Sequence, residues 1–373
     1  MARPLIAHID LDALRHNYRL AQELAPTSRS VAVLKADAYG HGAVACAKAL
    51  EDLVPAFAVA AIEEAVTLRD AGITTPIVLL EGIFSADELP QVDALGLSMA
   101  LHSDWQLEAV LAFAPRRPIP TWLKVDSGMH RLGYSPAAAE VAWQRLVAKP
   151  RCVTDLHLMS HFATADLADV GYFSRQHELV MALAERLGAP TCLANSPAVL
   201  AHPEAHGDCN RPGVMLYGSD PLELSCEASR RLHPVMSLTS KIIAVRELAQ
   251  GEPVGYGGRF TTAGPSRIGV VACGYGDGYD RHAVDGTPVL VDGKPSRLAG
   301  KVSMDMMTVD LTDLPEAGIG SEVVLWGASR HGALLSVDDV ARYCDTISYT
   351  LLTGVLPRVP RRYAGGPATS PVD

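Results

Sequence analysis

With 373 residues, 48% hydrophobic and 20% charged, the chain holds enough apolar material for a packed core and exceeds the length at which one core usually stops growing, so two domains are expected. Its 42 acidic against 32 basic side chains give a formal charge of −10, which repels phosphate backbones and argues against a nucleic-acid binder. Asp10, Asp12 and Arg15 interrupt the start and no later apolar run approaches membrane-spanning length, so a cytoplasmic protein is expected.

From Val31 onward, short apolar runs alternate with longer segments of helical period, the pattern of parallel strands covered by helices. Strands are predicted at 31–34, 57–60, 77–80, 97–101, 121–125, 155–160, 191–194 and 211–216, with helices over 43–52, 62–71, 136–148 and 176–187 among others. Eight such units in roughly 200 residues fit a (β/α)8 TIM-type barrel. A doubly wound sheet is the rival, and the G-x-G-x-x-G turn it would carry is missing from the sequence.

After about Arg231 the texture changes to Val-rich, Gly-interrupted segments at 235–245, 266–273, 288–291, 306–311 and 322–326. Asp292-Gly293 between apolar runs signals a hairpin, and 337–343 reads as one helical insertion. The expected division is a barrel over 1–230 and a mostly β domain over 231–373, with a tail that frays from Ala364. Seven widely spaced cysteines without a C-x-x-C pair point to reduced thiols. The pairs His157/His161 and His202/His206 lack a Glu or Cys companion, so no metal site is expected.

Barrels of this type carry their active sites at the C-terminal strand ends. There the sequence places Lys35, then Lys124-Val125-Asp126, His161, Asn195-Ser196 and Arg211-Pro212-Gly213. Any one of these has a bland reading, a solvated loop lysine or a structural histidine. Together they describe a cationic pocket suited to a phosphorylated anion. Lys35 leaves an apolar strand for the small-residue turn Ala36-Asp37-Ala38-Tyr39-Gly40-His41-Gly42. Desolvation and neighbouring cations both disfavour a protonated amine there, the condition that a Schiff-base lysine requires.

The stretch from Val33 to Gly42 resembles the cofactor-lysine motif of the alanine racemases. The resemblance returns at Leu123 to Gly133, at Ser160-His161-Phe162-Ala163-Thr164-Ala165-Asp166, at Asn195-Ser196 and at Arg211-Pro212-Gly213. It continues at Val254-Gly255-Tyr256-Gly257, Gly274-Tyr275-Gly276-Asp277-Gly278, Ser303-Met304-Asp305 and Ile347-Ser348-Tyr349. It implies a pyridoxal 5'-phosphate enzyme and a homodimer with shared active sites, interconverting L- and D-alanine for the cell wall or for alanine breakdown. By this resemblance Lys35 holds the cofactor as a Schiff base and acts as one base. Tyr256 of the partner subunit is the second. A free phenol has a pKa of about 10, so the resemblance also supplies helpers, His161 and then Arg211.

Arg211 is further implied to face the pyridine nitrogen of the cofactor and to weaken its electron sink, which favours reprotonation at Cα. Tyr39, Asn195, Ser196, Tyr349 and the backbone at Gly213 and Val214 are implied around the cofactor and its phosphate. Arg131 and the Met304 backbone are implied at the substrate carboxylate, supported by Asp305, by Tyr275 and Tyr349 as an aromatic gate, and by Lys124, whose counterpart in some relatives is carbamylated. Where many relatives have Cys, this chain has Ser303. A broader amino-acid or serine racemase and a non-catalytic pyridoxal-phosphate carrier are the alternatives. A decarboxylase of the same architecture would need a cysteine and an aspartate reaching across the dimer, and it would have no role for Tyr256.

Overall fold

A computed structural model describes residues 3–367. Its first barrel stave is split into Arg29–Ser30 and Ala32–Val33, and this stave forms both margins of one sheet. Arg29 and Ser30 align with Cys209 and Asn210, while Ala32 and Val33 align with Phe57 and Ala58. The staves Phe57–Val59, Ile77–Leu79, Ser98–Leu101, Ile119–Lys124, Val153–Met159, Thr191–Cys192 and Cys209–Asn210 follow in order, each parallel to the one before. A sheet that returns to its own first strand is a barrel, and the doubly wound alternative is excluded.

The eighth stave differs from the expectation at 211–216. It is Cys209–Asn210, and Val214–Tyr217 forms a 3-10 helix. Pro212 has no N–H to continue a ladder, so pairing ends after Arg211, whose N–H still donates to Ala194 O at 2.8 Å. The apolar residues Val214, Met215 and Leu216 are buried all the same, which is why their run mimics a strand. The helices Ala43–Leu50, Ile62–Asp70 and Pro136–Val147 lie where periodicity put them, and Gly171–Leu187 begins earlier than 176. The helix Leu11–Leu24, outside the predicted set, is capped by Asp10, whose carboxylate accepts from the N–H groups of Asp12 and Ala13 at 2.9 Å.

The mostly β part is built on the strand Met236–Leu248, which pairs antiparallel with Ile6–Asp10, Ser266–Val271 and Glu322–Ala328. Asp292 and Gly293 join Pro288–Val291 to Lys294–Arg297 with φ of 47° and 78°, the left-handed pair that a two-residue hairpin needs. The helix Val337–Tyr343 is also present. Ile6–Asp10 pairs in parallel with Arg361–Ala364, so the first and last described strands lie in the same sheet. Ala364, expected to fray, is aligned with Asp10, and Gly366 N–H donates to Asp12 Oδ1 at 3.0 Å. Residues 368–373 of that predicted tail lie outside the described residues. Among the described residues, no helix is long and apolar enough to cross a membrane.

The last strand also reaches the barrel mouth. Arg361 donates from Nε to Gly40 O at 2.7 Å and from Nη2 to Val355 O at 3.0 Å, tying the turn after Lys35 to the end of the helix Ser348–Gly354. Gly40 has φ of +80°, and a Cβ there would lie 2.2 Å from Leu352 O. Gly40→Ala is therefore expected to lower unfolding free energy by about 1–3 kcal/mol, through left-handed strain and backbone displacement together. Denaturant titration checks this, and a change within ~0.5 kcal/mol would show that the turn and the helix are free to separate.

Candidate active site

Lys35 opens a turn of the wrong hand. Ala36, Asp37, Ala38 and Tyr39 have φ of 54°, 53°, 52° and 53°, and Gly40 N–H donates to Ala36 O at 2.9 Å. Each non-glycine residue in this region costs roughly 1–2 kcal/mol, so four in succession must be held from outside. Glu64 Oε1 accepts from Ala36 N–H at 2.6 Å, and Asp37 Oδ1 accepts from Ala43 N–H at 2.7 Å. His41, fully buried, donates from Nδ1 to the carbonyls of Tyr39 and Ala38 at 2.9 and 3.0 Å. Burial pushes its imidazole down to about 4, despite those backbone bonds, so the ring stays neutral at the barrel mouth.

The turn carries Tyr39 to the far wall. Its ring stacks on Tyr217 at 4.8 Å, and Tyr217 donates to Val33 O at 2.8 Å. A Cβ on Gly213 would lie 2.5 Å from the Tyr39 hydroxyl oxygen, so only glycine lets the two meet. Ser196, at the start of the helix Ser196–Ala201, accepts from Gly213 N–H at 2.8 Å and from Met215 N–H at 3.3 Å. Asn195 caps that helix through Ala198 N–H at 3.3 Å. Opposite, Asp126 gathers the N–H groups of Gly128 and His130 at 3.0 Å each and shapes the loop that presents Arg131.

These elements enclose a cavity of about 340 Å³. Of the residues singled out in the sequence, Lys35, Tyr39, Lys124, Arg131, His161, Asn195, Ser196, Arg211, Gly213, Val214 and Tyr349 all line it. Tyr256, Tyr275, Met304 and Asp305 do not. They belong to the β domain and stand 68%, 37% and 54% exposed for the first three, with Asp305 also exposed.

Electrostatically the cavity is crowded with like charge. Burial lowers the Lys35 amine below its ordinary range and Arg131 and Arg211 lower it further, while Glu81 and Glu64 act the other way. Lys124 is pushed down to about 8 by burial, then by Arg211 and Arg131. The His161 imidazole falls well below its usual value through burial and then the same cations. Arg211 is 5% exposed and donates to the carbonyls of Cys192, Ser160 (2.6 Å) and Leu193 (3.2 Å). A guanidinium cannot shed its proton, so the neighbouring amines and the imidazole yield instead.

Two models of a known family cover the chain: the alanine racemase N-terminal domain matches residues 9–221 and the alanine racemase C-terminal domain matches 235–363. The chain belongs to the alanine racemase family. It is 71% identical over 363 residues to an alanine racemase of Chromohalobacter salexigens, covering 97% of this chain and 98% of that one. It is 52% identical to the catabolic alanine racemase of Pseudomonas aeruginosa, covering 97% and 99%. A crystal structure of the biosynthetic alanine racemase from the same organism superposes with a TM-score of 0.93 at 49% identity, covering 97% of this chain and 100% of that one.

Within this family architecture, two carboxylates escaped the sequence reading. Glu81 lines the cavity just past the stave Ile77–Leu79, the position type that identified the other residues, but strands two to four were left out of that survey. Glu64 braces the lysine turn from the helix Ile62–Asp70, where its place three residues after Ala61 reads only as an N-terminal helix acid.

The Lys124 amine makes a test of the pocket's field. Its pKa is about 8 folded and 10.5 in its ordinary state, so the unfolded chain holds the proton more tightly between these values. Stability should rise as pH increases across that window, because the penalty for burying the charged amine is relieved. In CO2-depleted buffer, Lys124→Met is expected to remove that rise and to match or exceed the unmodified protein at pH 7. An unchanged pH slope from 8 to 10.5 would refute the assignment.

Proposed function

We propose that this protein is a pyridoxal-phosphate-dependent racemase that interconverts L- and D-alanine, working as a homodimer with shared active sites. The observation that carries the reading is Lys35, its amine desolvated at the wall of a cation-lined cavity, on a strained turn that every neighbour holds in place. Family membership supports it.

The cavity suits the cofactor. Lys35 supplies the amine for a Schiff base, and Ser196, Tyr39, Tyr349 and the backbone at Gly213 and Val214 form a hydroxyl and N–H wall for a phosphate, with room kept by the missing Cβ of Gly213. Bound there, pyridoxal phosphate supplies an electron sink for the pair left at Cα when its proton departs. The chain's own groups do the rest. Lys35 Nζ, lowered from its ordinary range chiefly by burial and freed when the substrate amine displaces it, takes or returns the Cα proton on one face. Tyr256 of the partner subunit does so on the other through its phenol oxygen. Arg131, with a planar fork of donors, orients the substrate carboxylate from the barrel side, and the Met304 backbone of the partner subunit does so from the other. Arg211, a buried guanidinium lining the cavity, would by resemblance hold the pyridine end of the cofactor, limit its sink and favour return of the proton to Cα.

The β-domain surface supports the shared site. Tyr256, Met304, Met306, Tyr343 and Ile347 are large apolar residues left 68%, 54%, 46%, 45% and 59% exposed in the single chain, side chains that a second copy would cover.

The decisive experiment follows loss of deuterium from Cα-deuterated L- and D-alanine. The unmodified protein is expected to exchange both. Lys35→Ala should abolish both, and Tyr256→Phe should slow exchange from the L enantiomer by about 10²–10⁴ while sparing the D enantiomer more. A protein that binds pyridoxal phosphate yet exchanges neither enantiomer is not an alanine racemase.

A further inference from the structure

One buried carboxylate lies outside the cavity and outside the roles given so far. The Asp277 side chain is 1% exposed, yet Arg3 reaches both of its oxygens, with Nη2 to Oδ2 at 2.6 Å. Arg358 Nε donates to Oδ1 at 2.6 Å, and Gly274 N–H donates to Oδ2 at 2.9 Å. Burial alone would raise this carboxyl, and the two guanidiniums hold it below its ordinary value instead. Both arginines continue past Asp277 to one further residue. Arg358 Nη2 donates to Asp305 Oδ1 at 2.6 Å, and Arg3 Nη2 donates to Asp305 O at 3.1 Å.

The two residues so linked stand on two loops that touch through their backbones. Tyr275 N–H donates to Ser303 O at 3.0 Å, and Gly276 N–H donates to Met304 O at 2.8 Å. A Cβ on Gly274 would lie 2.2 Å from Ser303 O, so the loops have no slack. Behind them, Leu356 N–H donates to Asp277 O at 3.0 Å. What the assembly presents outward is Tyr275 and Met304.

We propose that Asp277 with Arg3 and Arg358 is a positioning clamp that sets the Tyr275 and Met304 loops for the substrate site of the partner subunit. The proposal rests on the shared-site reading above. The clamp touches neither substrate nor cofactor, so its loss should loosen alanine binding more than it slows turnover. For Arg358→Ala the KM for both alanine enantiomers is expected to rise about tenfold, with kcat changed less than threefold and the dimer intact by sedimentation. Arg3→Ala, which removes the arm that reaches both Asp277 oxygens, should raise KM in the same direction.

Mixed dimers decide where the effect acts. A subunit carrying Lys35→Ala paired with one carrying Arg358→Ala leaves one site with an intact barrel from the second and an intact clamp from the first. That site should show the unmodified KM at half the activity per dimer. The control pairs Lys35→Ala with Tyr256→Phe, which should likewise restore one complete site. If the control regains activity but the Arg358 pair keeps the raised KM, the clamp acts within its own chain and the proposal is overturned. If the control regains nothing, the shared-site reading itself falls and takes the clamp with it. An Arg358→Ala dimer with unchanged KM, or with kcat lost and KM unmoved, also overturns the clamp.

Discussion

Lys35, Lys124, Arg131 and Arg211 converge on a cavity of about 340 Å³ in a chain whose formal charge is −10. Cations at such a site repel one another strongly because little water screens them. Arg211 and Arg131 cannot relieve the repulsion by losing a proton. The burden falls on Lys35, Lys124 and His161, all of which are driven toward their neutral forms. A neutral lysine amine is a nucleophile and a base, whereas a protonated one is neither. The same field that makes the pocket receptive to an anion thus prepares its amines to react, and Glu81 alone among the lining residues offsets it with a carboxylate.

Such a pocket needs rigid walls, and the fold provides them from two directions. The closed barrel brings its strand ends to one rim. The left-handed turn that follows Lys35 is held by Glu64, Asp37 and His41 within the barrel and by Arg361 from the β sheet. Because Arg361–Ala364 pairs with Ile6–Asp10, the first and last described strands secure each other as well as that turn. Strain of several kcal/mol at one turn persists only where this many contacts determine it.

Much of this was legible beforehand, for physical reasons. Period-2 and period-3.6 patterns give away staves and helices that are buried on one or both faces, and Asp292-Gly293 announces its hairpin because few other pairs accept two positive φ values. The eighth stave was misplaced because burial, which the sequence shows, does not distinguish the strand Cys209–Asn210 from the 3-10 helix Val214–Tyr217. The pocket residues at the ends of staves one, five, six, seven and eight were found by charge and place. Glu81 obeys the same rule. Arg3, Asp277 and Arg358 obey no local rule at all: their contacts span 274 and 81 residues, and only the folded sheet brings them together.

That long-range network bears on why the β domain exists in this architecture. The barrel of a single chain already holds the lysine, the cations and, on the proposed reading, the wall for a phosphate, so cofactor binding would ask nothing more of the fold. Tyr256, Tyr275 and Met304 lie outside its cavity, on the exposed surface of the second domain. In the proposed function Tyr256 is a base and Met304 a carboxylate contact, and residues offered outward in those roles are useful only when a second copy supplies the cavity. If so, protonation on one face of the substrate Cα belongs to one chain and on the other face to its partner, and the accuracy of the pair depends on how stiffly each β domain holds its loops. A buried carboxylate gripped by two arginines resists deformation far better than apolar packing of flexible side chains, since each donor fixes a direction as well as a distance.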